Sequence, residues 1–213
     1  MNPKKNEVMN QAKIAESALA NQADLIYNVS MMQKVASSKI NFQFDNVNLL
    51  ECIKASAEML SKQAQKKKIK IEHSIDDLLY VNGDMNMLVN CVFNNVLSNA
   101  IKFSFEKSQV LISATQEGEN IIVTVRDSGV GMSEQKAAAV FQVDGHTSSQ
   151  GTAGEFGSGF GLPIAKTVTE KLGGSISLFS KEQAKYPNDC GTTVTINLIQ
   201  PLFSKKMRLP SKK

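Results

Sequence analysis

Apolar residues in this chain recur first at a helical spacing and then at an alternating one, and the change of period divides it. From Asn6 to about Ser37 there is no glycine or proline, and Val8, Ala12, Ala15, Leu19, Gln22, Ile26 and Val29 follow an alternating four-three step. Ala18, Leu25 and Met32 flank that line. The spacing predicts one long helix with a seam for another helix, in a coiled coil or bundle. The alternative is packing on the chain's own downstream domain. A helix of this kind cannot bury its stripe alone, so a second subunit is implied.

Beyond the seam, Ile40, Phe42 and Phe44 alternate as a short strand. Asn48 with Glu51 three residues later has the form of a capping box and opens a helix through Leu49, Leu50, Ile53, Ala57, Leu60 and Ala64. Lys66-Lys67-Lys68 then reads as the solvated end of that helix, where cations meet the negative dipole end. Ile69, Ile71, His73 and Ile75 alternate as the next strand, with His73 a structural residue on it, and Leu79 and Val81 form a brief extended piece. Asp84 can cap the helix that follows, Met87 to Ser104, whose apolar stripe is Leu88, Val89, Val92, Val96, Leu97 and Ala100.

After that helix, Gln109–Gln116 and Asn120–Arg126 form a hairpin about Glu117-Gly118-Glu119-Asn120. A short helix to about Phe141 precedes Val143–Gly159, which holds five glycines and no apolar periodicity. A loop of that length inside a compact domain is unusual unless it moves or covers a ligand. A helix from about Gly161 to Leu172, with Pro163 in its first turn, breaks at Gly173-Gly174. Ser175–Ser180 and Thr192–Leu198 close the sheet, and the tail from Pro201 is expected to be disordered.

With 213 residues, 42% of them hydrophobic and 21% charged, the chain has the composition of a globular protein. No apolar run reaches membrane-spanning length, and MNPKKNEVMNQ is too polar for a signal peptide. Cys52, Cys91 and Cys190 are scattered, with no metal-ligand spacing, which points to three unpaired thiols in a cytoplasmic setting. The net charge of +4 comes largely from the lysine run and the SKKMRLPSKK tail. With no tryptophan and few aromatic residues there is no base-stacking surface, so neither nucleic acid nor membrane is an expected partner.

Three constellations carry candidate chemistry. Asn95, Asn99 and Lys102 stand at i, i+4 and i+7 and share one helix face. Their amide oxygens can ligate a hard divalent cation and the ammonium can meet a phosphate oxygen; a solvated polar face is the alternative. In DSGVGMS, Asp127 ends a strand and can accept from an exocyclic amino group such as adenine's, while Gly129 and Gly131 let backbone approach a flat ligand. A glycine turn with an Asx cap would look the same. In EFGSGFGLPIAK, Gly157, Gly159 and Gly161 lead into a helix start with free N–H groups, an anion site.

In this order and spacing the three resemble the ATP-binding catalytic domain of sensor histidine kinases, within the Bergerat-fold ATPases. NNVLSNAIKF is similar to that family's N-box, DSGVG to its adenine box, GSGFGL to its lid-end glycine box, Phe141 to its aromatic box and GTTVTINL to its closing strand. The likeness covers Asn48 to about Pro201, and Ser17–Phe42 is more loosely similar to the second helix of the family's dimerisation domain. It implies an α/β (α+β) two-layer sandwich of a mixed β-sheet and helices, preceded by the long amphipathic helix. The domains would be 1–40 (dimerisation helix), 41–200 (ATP-binding domain) and 201–213 (basic tail).

Carried onto these positions, the resemblance implies ATP and Mg2+, with Asn95 as metal ligand and Asn99 supporting metal and phosphates. Lys102 would contact phosphate and, with Asn95, serve catalysis. Phe103 would pack on adenine, Asp127 would bind its amino group, and Thr192 would support it through water. Gly129, Gly131, Gly157, Gly159, Gly161 and Leu162 would shape the pocket and its lid. The implied partners are an acceptor-histidine helix, a response regulator and a second copy of the chain.

The sequence also departs from that family. Residues 1–40 contain no histidine, and His73 and His146 lie in a strand and in the lid, so the phosphate acceptor must be outside this chain. Cys91 stands one turn before Asn95, where related ATPases place a glutamate base, which favours a transferase over a hydrolase. From Ala137 to Ala165 there is no Lys or Arg, and Phe160 replaces a leucine between two glycines. An anti-sigma-type serine kinase and a catalytically lapsed nucleotide-binding module remain alternatives.

Overall fold

The structure is a computed structural model that describes residues 41–142, 149–155 and 157–201, together with scattered helical positions between 7 and 34. The chain first forms strand β1 (Asp45–Asn48) and helices α1 (Leu49–Met59) and α2 (Ser61–Lys66). Strands β2 (Lys70–Ser74) and β3 (Tyr80–Gly83) follow. Next comes one continuous helix, α3, made of Met85–Met87, a π-helical Leu88–Phe93 and Asn94–Phe103. The hairpin strands are β4 (Gln109–Glu117) and β5 (Asn120–Asp127), and then come α4 (Glu134–Ala139), α5 (Gly161–Lys171), β6 (Ser175–Lys181) and β7 (Gly191–Ile199). β1 pairs antiparallel with β3. The main sheet has the order β2-β4-β5-β7-β6, with β2 parallel to β4 and the other neighbours antiparallel. This is the mixed sheet with a helical layer that the sequence resemblance implies.

Side-chain alternation places the site. Along β5, Ile121, Val123, Val125 and Asp127 are the buried positions, and along β7 they are Thr192, Val194, Ile196 and Leu198. With a period of two, all eight face the helices. The apolar rows end in Asp127 and Thr192, which sit on the core side of the sheet at its rim. Opposite them lie α1, α3 and α5, whose Leu49, Ile53, Leu88, Phe93, Leu97, Ile101 and Ile164 are fully buried.

The caps form as their residues dictate. Asn48 Oδ1 accepts from the Glu51 N–H at 3.0 Å, and Asp84 Oδ1 accepts from the Met87 N–H at 3.1 Å. All six residues of the expected α3 stripe are buried. The widened π turn brings Phe93 and Cys91 in as well, because one extra residue per turn rotates the later part of the helix relative to the earlier.

Several expectations are corrected. Of the strand expected about Ile40–Phe44, Ile40 lies outside the described residues, and Phe42 and Phe44 precede β1 with their rings 6.0 Å apart, since pairing with β3 begins at Asp45. The helix from Leu49 breaks at Leu60 into α1 and α2. His73 is exposed rather than structural, because β2 is the edge strand and most of its side chains face solvent. Lys67 is not solvated but 7% exposed.

In the N-terminal segment the described seam residues Val8, Ala15, Leu19, Gln22, Ile26 and Val29 are helical and exposed, while Asn28 and Met31 are buried. Ala12, Leu25 and Met32 lie outside the described residues, as do His146 and the tail from 202 onward. Among the described residues no helix is long and apolar enough to cross a membrane.

Candidate functional site

Helix α3 is the spine of the site, and successive positions along it meet the three glycine segments. Midway along it Asn95 donates through Nδ2 to the Cys91 carbonyl at 2.8 Å, one turn back. Its Oδ1 faces the first residue of α5, so close that a Cβ on Gly161 would stand 2.9 Å from it. No described residue donates a hydrogen bond to that oxygen. Two turns on, Lys102 Nζ donates to the Ser149 carbonyl at 2.7 Å and lies 4.7 Å from the centre of the Phe103 ring. A Cβ on Gly157 would come within 2.5 Å of this ammonium. Burial, with Lys136 adding repulsion and Glu155 opposing it, holds the Lys102 pKa below its usual value.

At its C-terminal end α3 meets the loop after β5. The Phe103 carbonyl accepts from the Val130 N–H at 3.2 Å, and Ser104 bridges to Gly129 as an isolated antiparallel pair. Any side chain on Gly129 would strike the Phe103 carbonyl. Gly131 has φ +61°, and a side chain there would strike the Lys181 carbonyl, so both strain and space require glycine. Asp127 is 7% exposed, and its Oδ1 accepts from the Gly129 N–H at 3.0 Å and the Thr192 N–H at 3.1 Å. Burial pushes its carboxyl up to about 7 against the pull of those two bonds. Among the described residues nothing donates to Oδ2. Thr192 Oγ1 pairs with Ser180 Oγ at 2.9 Å, and Ser180 also accepts from the Met132 N–H.

Asn95 with Gly161, Lys102 with Gly157, and Phe103 with Gly129 and Asp127 are therefore three adjoining stations. Asn99, on the same face, is half-buried between them. Gly159 (φ +79°) and the buried Leu162 lie in the segment that enters α5, and Phe141 is half-buried against the core.

Sequence reasoning missed the group that fastens the lid. Lys67 Nζ donates to the carbonyls of Ile101 (2.9 Å) and Lys102 (2.7 Å) and to Thr152 Oγ1 (2.6 Å), and pairs with Glu155 at 3.2 Å. A buried ammonium needs this full set of acceptors. Thr152 adds bonds from its N–H to the Lys102 carbonyl and from its hydroxyl to the Ser104 carbonyl. Lys136 from α4 donates to Ser149 Oγ at 2.9 Å. The lid lacks cations of its own, and three lysines from other elements supply them. Only a reading of which residue in a lysine run lies at the α2–β2 turn could have singled out Lys67, and nothing in the sequence singles out Lys136 or Ser180.

As for a metal, no group of three or more His, Cys, Asp or Glu side chains among the described residues could hold one. The donor set instead fits magnesium that arrives with a polyphosphate. Asn95 Oδ1 would supply one ligand to such an ion, and phosphate oxygens and water would supply the rest.

The sequence profile described as "Histidine kinase-, DNA gyrase B-, and HSP90-like ATPase" matches residues 86–202. Among curated proteins, histidine kinase P4 of Formosa agariphila is 28% identical over 84% of this chain and 13% of its own length. Hybrid signal transduction histidine kinase C of Dictyostelium discoideum is 30% identical over 88% of this chain and 16% of its own length. The chain thus spans less than a fifth of these relatives. Among solved structures, full-length ShkA in complex with AMPPNP covers 93% of this chain and 39% of its own, with a TM-score of 0.71 at 20% identity, a likeness of fold.

Proposed function

The chain belongs to the family of histidine kinase-, DNA gyrase B- and HSP90-like ATPases, and on that footing we propose that it is the catalytic region of a sensor histidine kinase. It would hold Mg-ATP and deliver the γ-phosphoryl to a histidine outside this chain. The observation that carries this reading is the alignment of three stations along α3, since an adenine needs an acceptor and a flat wall and the triphosphate beyond it needs cations.

Adenine's exocyclic amino group donates to Asp127, whose Oδ1 is already fixed by two N–H groups so that Oδ2 is left to face it. Thr192 supports that end through water, Phe103 packs on the ring, and Gly129 and Gly131 keep the wall flat. Lys102 exchanges the Ser149 carbonyl for a phosphate oxygen, which restores the charge that burial disfavours. Asn95 would hold magnesium, with Asn99 supporting the ion and the phosphates, and the ion when bound neutralises charge on the phosphates. The acceptor's imidazole nitrogen attacks the γ-phosphorus, the bridging P–O bond breaks, and ADP leaves with the electron pair. A neutral imidazole needs no general base, which accords with a buried Cys91 one turn before Asn95.

The exposed Leu19, Ile26 and Val29 support a dimer through the N-terminal helix, and a response regulator would receive the phosphoryl group from the histidine. The test is to incubate the chain with γ-labelled ATP and a separate acceptor-helix polypeptide. Label on the histidine of that polypeptide is expected. Tight ATP binding without any transfer would support the lapsed module instead.

A further inference from the structure

We propose that Lys136 is a second cationic ligand for the terminal phosphate of the bound nucleotide, supplied by α4 in place of a cation in the lid. This rests on the nucleotide-binding reading and assigns that site a residue it did not have.

The argument begins with Ser149, on which two ammonium groups converge. Its carbonyl accepts from Lys102 Nζ at 2.7 Å and its hydroxyl accepts from Lys136 Nζ at 2.9 Å. Two oxygens of one residue, each holding a lysine, imitate the way two oxygens of one phosphate would be held. The charges are unbalanced. Lys67, Lys102 and Lys136 gather here, and among the described residues the carboxylate that meets them is Glu155, already paired with Lys67 at 3.2 Å. Repulsion between Lys102 and Lys136 is relieved when an anion enters between them.

Sequence and fold explain why Lys136 takes this part. From Ala137 to Ala165 the chain has no Lys or Arg, so the lid cannot itself bring a cation to the γ-phosphate. Ser133 caps α4 by accepting from the Lys136 N–H, which sets Lys136 in the first turn and sends its side chain to the lid. A lysine is long enough to follow Ser149 and then a phosphate without any shift of the helix.

The test measures affinities for ATP, ADP and AMP in the full chain and in Lys136→Met and Lys136→Arg. Lys136→Met is expected to weaken ATP on the order of tenfold or more, ADP less and AMP not at all, because a charge-assisted bond to the last phosphate is lost. Lys136→Arg should restore most of the ATP affinity. Unchanged ATP affinity in Lys136→Met, or equal losses for ATP and AMP, would overturn the assignment and leave the nucleotide site standing. A parent chain that binds none of the three would overturn both.

Discussion

Replacing Gly161 by alanine should separate the proposed metal-binding end of the site from the stability of the fold. Its backbone conformation is open to any residue, and Ala is favoured over Gly in a helix by up to about 1 kcal/mol. The added Cβ would stand 2.9 Å from Asn95 Oδ1 and 3.4 Å from its Cγ. Ordinary carbon–oxygen contact requires the oxygen to recede by about half an ångström, and the flexible amide is what yields. Turning it also strains the 2.8 Å bond from Asn95 Nδ2 to the Cys91 carbonyl. One charge-assisted contact is worth about 1.5–3 kcal/mol, so Mg-ATP should bind about 10- to 100-fold more weakly. ATP titrations with magnesium and with chelator, beside thermal unfolding of the same samples, measure both quantities. Unchanged Mg-ATP affinity with an unchanged melting temperature would refute the placement of Asn95 as metal ligand.

Lys67→Met should destabilise the domain by about 2–4 kcal/mol, since the Ile101 carbonyl and Thr152 lose a buried charged partner while the Lys102 carbonyl keeps the Thr152 N–H. The melting temperature should fall by roughly 5–15 °C, and a fall of under a degree would contradict the latch. Asp127→Asn should stabilise the unliganded protein in a pH-dependent way. The folded carboxyl, raised from 3.8 to about 7, keeps a proton that the unfolded chain gives up. The parent therefore loses stability as pH rises from about 4 to 7, and the asparagine variant does not. Urea unfolding across that range should show a gap that widens with pH, and a flat gap would contradict the shift. Because adenine's amino group favours the ionised carboxylate, ATP binding near pH 7 should also release protons, which calorimetry in buffers of different ionisation enthalpy would detect.

The legible parts of this protein were those set by local periodicity. The i, i+4, i+7 step of Asn95, Asn99 and Lys102 fixes a shared face in any helix, and α3 forms where its stripe and Asp84 cap place it. The alternation of β5 and β7 likewise carried Asp127 and Thr192 to the core side. What could not be read depends on contacts far apart in sequence. Lys67 looks like its two lysine neighbours until the fold brings the end of α3 and Thr152 to it, 34 and 85 residues away. The π turn in α3 packs against α1 and α5, and no residue type announces it. Phe42 and Phe44 alternate like a strand yet have no partner strand among the described residues, so alternation predicts pairing only where an edge is available.

Whether the buried carboxylate reads adenine is tested most directly by comparing ATP with GTP in the parent and in Asp127→Ala. Guanine presents a carbonyl oxygen where adenine presents its amino group, and that oxygen would face the carboxylate as a like partner. The account predicts a strong preference for ATP in the parent that disappears in the variant. Equal affinity for the two nucleotides in the parent, or a preference that survives loss of Asp127, would contradict it.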